Sequence, residues 1–214
     1  MVHVELMIFD FDGTLVSSGE DIVNSVNFML GQLNLPERNN NEILGFIGDG
    51  VDVLIEKSLG SAGLGKFDEA MRLFSRHYES HLMDATELYP GVHKTLLHFR
   101  EKKKLIVTNK RYRFTVKIAE ELGILSFFDD VIGRDNHDFV KPDSRLLVSI
   151  MEKFHVPAKE TVVIGDGIND LILAKGAGAL SCAYLNGLTP REILINHQPD
   201  FTYETIQELV NIFD

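Results

Sequence analysis

Val4-Glu5-Leu6-Met7-Ile8-Phe9-Asp10-Phe11-Asp12-Gly13-Thr14 decides the reading of this 214-residue chain. Residues 4–9 form an apolar run with β-branched Val4 and Ile8, which reads as a short buried strand. The run stops at Asp10. Side chains two apart on an extended chain share a side, so Asp10 and Asp12 can address one ligand atom together. Gly13 permits a tight reversal and close backbone approach. Acidic residues also end strands as plain turn formers, so this pair alone leaves both readings open.

Working outward, similar apolar runs recur at 104–108, 130–133, 161–165 and 179–184. Between them lie helical periods, among them Ile118, Ala119 and Leu122, and Leu146, Leu147, Ile150, Met151 and Phe154. Short, nearly all-apolar strands alternating with helices predict an α/β fold whose parallel sheet is covered on both faces. The segment 18–85 breaks the alternation. Its apolar stripes (Ile22, Val26, Met29, Leu30, Leu33; Val51, Leu54, Ile55, Leu59; Phe67, Ala70, Met71, Phe74, Tyr78, Leu82) all have helical spacing. The expectation is a core of 1–17 and 86–214, with an all-helical module of 18–85 inserted after the first strand.

Bulk properties exclude some classes. Clustered cations are needed to neutralise a polynucleotide, and the formal charge of −11 has the wrong sign. Cys182 is the only cysteine, so no intramolecular disulfide can form and a reducing, cytoplasmic setting is expected. The first thirteen residues carry carboxylates inside their apolar run, unlike a signal peptide. No window reaches the roughly 18 apolar residues of a membrane span. Monomer and homodimer both stay open.

Ligands of open parallel sheets bind beyond the carboxyl ends of strands, and polar clusters sit at those places. Thr108-Asn109 offers a hydroxyl and an amide that can donate to phosphate oxygens, though Thr-Asn is also a common strand ending. Lys141, before Pro142 and a helical stripe, can neutralise a phosphate and the charge that develops in phosphoryl transfer. Proline suits a first helical turn. Asp166 and Asp170, in Gly165-Asp166-Gly167-Ile168-Asn169-Asp170, are spaced for one face of a helix opening there. They can bind a hard cation or simply cap the helix.

Asp-x-Asp-Gly-Thr, Thr-Asn, Lys-Pro and Gly-Asp-x-x-x-Asp occur in that order, each beyond an expected strand. In this the chain resembles the haloacid dehalogenase-like superfamily over nearly its whole length. The inserted module resembles that superfamily's small helical cap. The Val107-Thr108-Asn109-Lys110 stretch and the Gly-rich cap segment Phe46-Ile47-Gly48-Asp49-Gly50 are most similar to phosphoglycolate phosphatases and their near relatives. The resemblance implies a Rossmann-like core, a small phosphorylated metabolite as substrate and Mg²⁺ as cofactor. It implies Asp10 as nucleophile and Asp12 as general acid/base. The Asp10 carboxylate, the Asp12 backbone carbonyl and the Asp166 carboxylate would be metal ligands, with Asp170 a direct ligand or one shell out. Gly13, Thr14, Thr108, the Asn109 backbone and Lys141 would hold the phosphoryl group.

Chemistry supports these roles independently. A carboxylate can attack phosphorus in line and divide the reaction into two easier steps. The second carboxylate must give a proton to the departing alkoxide and later take one from water. Bare carboxylates 4 Å apart repel by roughly 4 kcal/mol at an effective dielectric of 20, which a divalent cation would remove. Oxygen ligands at a phosphate site favour Mg²⁺ over zinc.

Some positions depart from the family pattern. Arg111 stands where proline commonly follows the lysine, and Arg134 where a second glycine would be familiar. Arg111, Arg113 and Arg134 all follow core strands, so one of them is expected to bind a second anionic group of the substrate. His77 and His81 have the i, i+4 spacing of a helical zinc pair but lack further ligands nearby, so solvent-facing histidines are the simpler expectation. A β-phosphoglucomutase-like mutase would share the nucleophile, but Thr14 favours a phosphatase. A pyrophosphatase stays open, whereas a dehalogenase would lack Asp12. A signalling receiver that keeps its phosphate would be shorter and lack the helical insertion.

Overall fold

The computed structural model describes residues 1–214. Its first half runs β1 (Leu6–Phe9), β2 (Val16–Ser17), α1 (Gly19–Gln32), α2 (Asn40–Leu44), α3 (Val51–Leu59), α4 (Phe67–His81), β3 (Glu87–Leu88) and α5 (Val92–His98). The second half runs β4 (Lys103–Val107), α6 (Tyr112–Glu121), β5 (Asp130–Ile132), α7 (Ser144–Phe154), β6 (Thr161–Gly165), α8 (Ile168–Ala177), β7 (Leu180–Tyr184), α9 (Arg191–Asn196), β8 (Phe201–Tyr203) and α10 (Leu209–Ile212).

Six strands form one parallel sheet in the order β5-β4-β1-β6-β7-β8. The chain builds outward from β1 on one side, then returns to build on the other, so the order reverses beside β1. That reversal opens the crevice in which ligands of such sheets bind. Strand side chains alternate between two cores. Met7, Phe9, Ile106, Val162 and Ile164 face one core with Leu96 of α5 and Phe114 and Ile118 of α6. Leu6, Ile8, Leu105, Val107 and Val163 face the other with Leu147 and Ile150 of α7 and Leu173 of α8. Burial on both faces is why these strands read as continuous apolar runs. The expected Rossmann-like architecture is the one observed.

Helices α1–α4 pack together over the carboxyl edge of the sheet, and their stripes join the first core. The two crossings between this unit and the sheet pair as an antiparallel ribbon, Val16 with Leu88 and Ser17 with Glu87. Buried Asp21 braces the ribbon: its carboxylate accepts from the backbone N–H groups of Ala85 and Thr86 and from the Thr86 hydroxyl at 2.7–3.1 Å. One local expectation needs correcting. Pro142 does not open a helix; α7 starts at Ser144, capped by the Asp143 carboxylate, which accepts from the Arg145 N–H. No helix is long and apolar enough to cross a membrane.

Candidate active site

Register brings the site together. Phe9 pairs with Ile106 on one side and Ile164 on the other, so Asp10 lies level with Val107 and Gly165, and Thr108 and Asp166 lie one residue beyond. The Asp10 N–H donates to the Ile164 carbonyl at 2.8 Å, fixing the end of β1. A cavity of about 80 Å³ opens there. Its floor carries Asp10, Asp12, Thr108, Asn109, Lys110, Arg111 and Asp166, and its roof is mainly apolar: Ile22, Ile47, Val51, Leu54, Phe74 and Tyr78 of the helical unit.

Asp10, Asp12 and Asp166 line one cavity, although no three His, Cys, Asp or Glu side chains form a metal-holding group. Three of the four aspartates contact lysines. Asp12 accepts from Lys110 Nζ at 2.9 and 3.1 Å and from the Ser18 hydroxyl. Asp170 accepts from Lys141 Nζ at 2.7 Å and from the Gly167 N–H at 3.0 Å. Lys141 also reaches Asp10 Oδ1 at 2.8 Å, so one buried cation faces two carboxylates. Burial lowers the Lys141 pKa, but Asp10 and Asp170 outweigh it and hold the ammonium above the ordinary lysine value.

Asp166 has no cation in contact. Thr14 Oγ1 donates to its Oδ1 and the Leu188 N–H to its Oδ2, both at 2.7 Å. Gly13, at φ +83°, lets the chain pass so close that a Cβ there would lie 2.3 Å from Asp166 Oδ2. Burial, then the charge of Asp10, pushes the Asp166 carboxyl up to about 7. Burial and Asp10 raise Asp170 too, against the pull of Lys141. The Asp10 and Asp166 carboxylates together are an oxygen-only donor set. Mg²⁺ commonly uses one or two carboxylates and keeps waters, so these residues fit it. Asp170, engaged by Lys141, fits the position behind the ligands.

Several candidates for phosphoryl binding are engaged elsewhere. Thr14 directs its hydroxyl to Asp166, and the Gly13 N–H donates to the Val16 carbonyl. Both position the acidic cluster. The Asn109 amide donates to the carbonyls of Gly48 and Lys141, so it does not reach for a ligand as its type suggests. Its backbone N–H has no partner within the chain, nor has that of Asp12. The Thr108 hydroxyl accepts from the Lys110 N–H at 3.2 Å and keeps its own proton to donate.

Of the three arginines, Arg134 lies off the cavity. Its Nε is 3.2 Å from Asp52 Oδ2 and its Nη1 3.3 Å from the Asp49 carbonyl. Arg113 pairs with Glu79 and lies over Phe114. Arg111 alone lines the cavity. Asn109, Asn169 and Arg134 thus hold the Gly48-Asp49 turn and Asp52 against the core. His77 and His81 stack with centroids 4.2 Å apart, and His77 stacks on Phe28. Their nitrogens face Ser25 and Asp84 rather than a common ligand.

Lys110 draws no role from the sequence, yet it is the best-placed cation. Its Nζ lies 2.6 Å from the Tyr78 hydroxyl of α4 as well as against Asp12. Burial lowers its pKa, but Asp12 and Tyr78 prevail and keep it charged. Burial pushes the Tyr78 hydroxyl up to about 12. The available signal was position: a lysine directly beyond Thr108-Asn109.

Comparison with known proteins identifies the family. The family model for haloacid dehalogenase-like hydrolases matches residues 7–184. A phosphoglycolate phosphatase of Vibrio cholerae is 31% identical over 221 aligned residues, covering 99% of this chain and 98% of the relative. One from Colwellia psychrerythraea is 34% identical, covering 96% and 95%. The crystal structure of a predicted phosphoglycolate phosphatase from Haemophilus somnus superposes with a TM-score of 0.93 at 28% identity, covering 99% of both chains. The chain belongs to the haloacid dehalogenase-like hydrolase family, as a phosphatase-like member similar over its whole length to phosphoglycolate phosphatases.

Proposed function

We propose that the protein hydrolyses a small phosphomonoester through a phosphoryl group carried on Asp10, with Mg²⁺ as cofactor and phosphoglycolate as leading substrate candidate. One observation carries this reading: Asp10 ends the central strand at the cavity floor, 2.8 Å from a buried lysine and beside Asp12 and Asp166. The names of the full-length relatives support the choice of substrate.

In the first step an Asp10 oxygen forms a bond to phosphorus as the bond to the ester oxygen breaks in line. Asp12 gives its proton to the departing alkoxide. In the second step water attacks phosphorus, Asp12 takes the water's proton, the bond to Asp10 breaks, and inorganic phosphate leaves. Lys110 and Ser18 hold the Asp12 carboxyl in one orientation, as a group that gives and takes a proton at one atom requires. Lys141, the Thr108 hydroxyl and the Asn109 backbone N–H face the phosphoryl oxygens. Mg²⁺, held by the Asp10 and Asp166 carboxylates and the Asp12 carbonyl, would supply positive charge to the transferring group. We assign residues 18–85 as a cap that closes over the ester and excludes water. Buried Cys182, the lone cysteine, suits the reducing cytoplasm.

The test is steady-state turnover on a panel of phosphorylated metabolites. Wild type should release many equivalents of phosphate, stop in excess EDTA and recover with Mg²⁺. Asp10→Asn should melt near the wild-type temperature and release none. Release limited to one equivalent would indicate a receiver-like phosphate acceptor instead.

A further inference from the structure

We propose that Arg111 is the specificity-determining residue of this site and that it selects esters whose short tail ends in a carboxylate. The inference rests on the phosphatase reading above and adds the group that reads the far end of the substrate.

The floor of the cavity has two cations, Lys110 and Arg111. Lys110 is neutralised by Asp12 at 2.9 Å. Lys141, beneath the floor, is shared between Asp10 and Asp170. Arg111 has no carboxylate within 4 Å; its neighbours are Ser75 Oγ, 3.4 Å from Nη1, and Met71 Sδ, 3.3 Å from Nη2. Neither carries charge, and a thioether is a weak acceptor. A guanidinium has five N–H donors, and only two of them meet these uncharged partners.

The position is also built. Arg111 is the residue before α6, and its carbonyl accepts from the N–H groups of Phe114 and Thr115 at 3.1 Å, which fixes where its side chain starts. From there the side chain crosses to α4. Arg111 is half-buried and has no counter-charge, and an anionic ligand group would supply one. The planar fork matches a carboxylate through two parallel bonds. The roof residues Ile47, Val51, Leu54 and Phe74 give such a tail no competing partner. The other two arginines are already paired, with Asp52 and with Glu79.

Phosphoglycolate and ethyl phosphate have tails of similar length and differ in the terminal carboxylate, so kcat/KM on both should be measured for wild type, Arg111→Ala, Arg111→Lys and Arg113→Ala. Wild type should favour phosphoglycolate. Arg111→Ala should lower kcat/KM for phosphoglycolate about 10- to 100-fold, mainly through KM, the worth of a hydrogen-bonded charge. It should change ethyl phosphate by less than about threefold. Arg111→Lys should retain part of the preference, and Arg113→Ala should keep the wild-type ratio. Equal losses on both esters in Arg111→Ala, or no loss on either, would overturn the role of Arg111 and leave the phosphatase reading standing. A wild-type enzyme that hydrolyses neither these esters nor any of the panel would overturn both.

Discussion

Asp12 and Asp166 are both buried-site carboxylates, but their surroundings separate their roles. Asp12 meets a lysine and a serine hydroxyl, whereas Asp166 accepts from neutral donors and its carboxyl is raised by burial and the charge of Asp10. Its carboxyl, pushed up to about 7 in the metal-free protein, has a stability consequence. A group that binds its proton more tightly in the folded state stabilises below its unfolded value, near 4, and loses that contribution as pH rises through about 7. Metal-free protein should therefore melt at progressively lower temperature between about pH 5 and pH 8. Added Mg²⁺ should raise the melting temperature more at pH 8 than at pH 6, because binding competes with the proton. An equal Mg²⁺ shift at both pH values would contradict this. Lys110 gives a second prediction at this scale. Lys110→Met should lower kcat roughly 10- to 100-fold, part of the 10²–10⁴ that acid/base catalysis supplies, with a smaller change in KM. Tyr78→Phe, which removes only the hydroxyl on Lys110, should lose less.

At the scale of elements, β1, β4, β6 and β7 were legible because burial on both faces makes their sequences continuously apolar. β8, Phe201-Thr202-Tyr203, was not: it is an edge strand of three residues that alternates rather than runs apolar. The ribbon of β2 and β3 was equally hidden, since two residues give no period. In the site, Asp10, Thr108 and Asp166 stood out because each directly follows a strand, and Asp12 and Lys141 through the Asp-x-Asp-Gly and Lys-Pro patterns that hold them. The partners of Asp12 did not, because Lys110 lies 98 residues away in sequence and Ser18 sits at the ribbon's end. Asp21 shows the same limit. It reads as an ordinary acidic first-turn residue of α1, yet it serves Ala85 and Thr86, more than sixty residues away. Asp21→Ala should cost about 1–3 kcal/mol of stability by leaving those buried donors unmet, measurable by urea denaturation.

For the whole molecule, the cavity exists only while the helical unit lies on the sheet. Apart from the Tyr78–Lys110 contact, three core side chains fasten its turn: Asn109 and Asn169 on Gly48 and Asp49, and Arg134 on Asp52. Arg134, set aside as a substrate ligand, thereby acquires a role in closure. An exposed ion pair contributes about 0.2–1 kcal/mol, so Arg134→Ala should raise KM by up to roughly fivefold for every ester alike. A KM change confined to acidic esters would instead return Arg134 to the substrate. In the proposed mechanism closure matters because a phosphoryl group on Asp10 would have to survive until Asp12 has water to deprotonate. The most direct measurement is acid-quenching during turnover of phosphoglycolate with Mg²⁺, followed by mass mapping of the peptide that contains Asp10. A phosphoryl group on Asp10, absent when Asp10→Asn is treated identically, is the result expected. Undiminished turnover by Asp10→Asn, or phosphoryl found on another residue, would contradict the account.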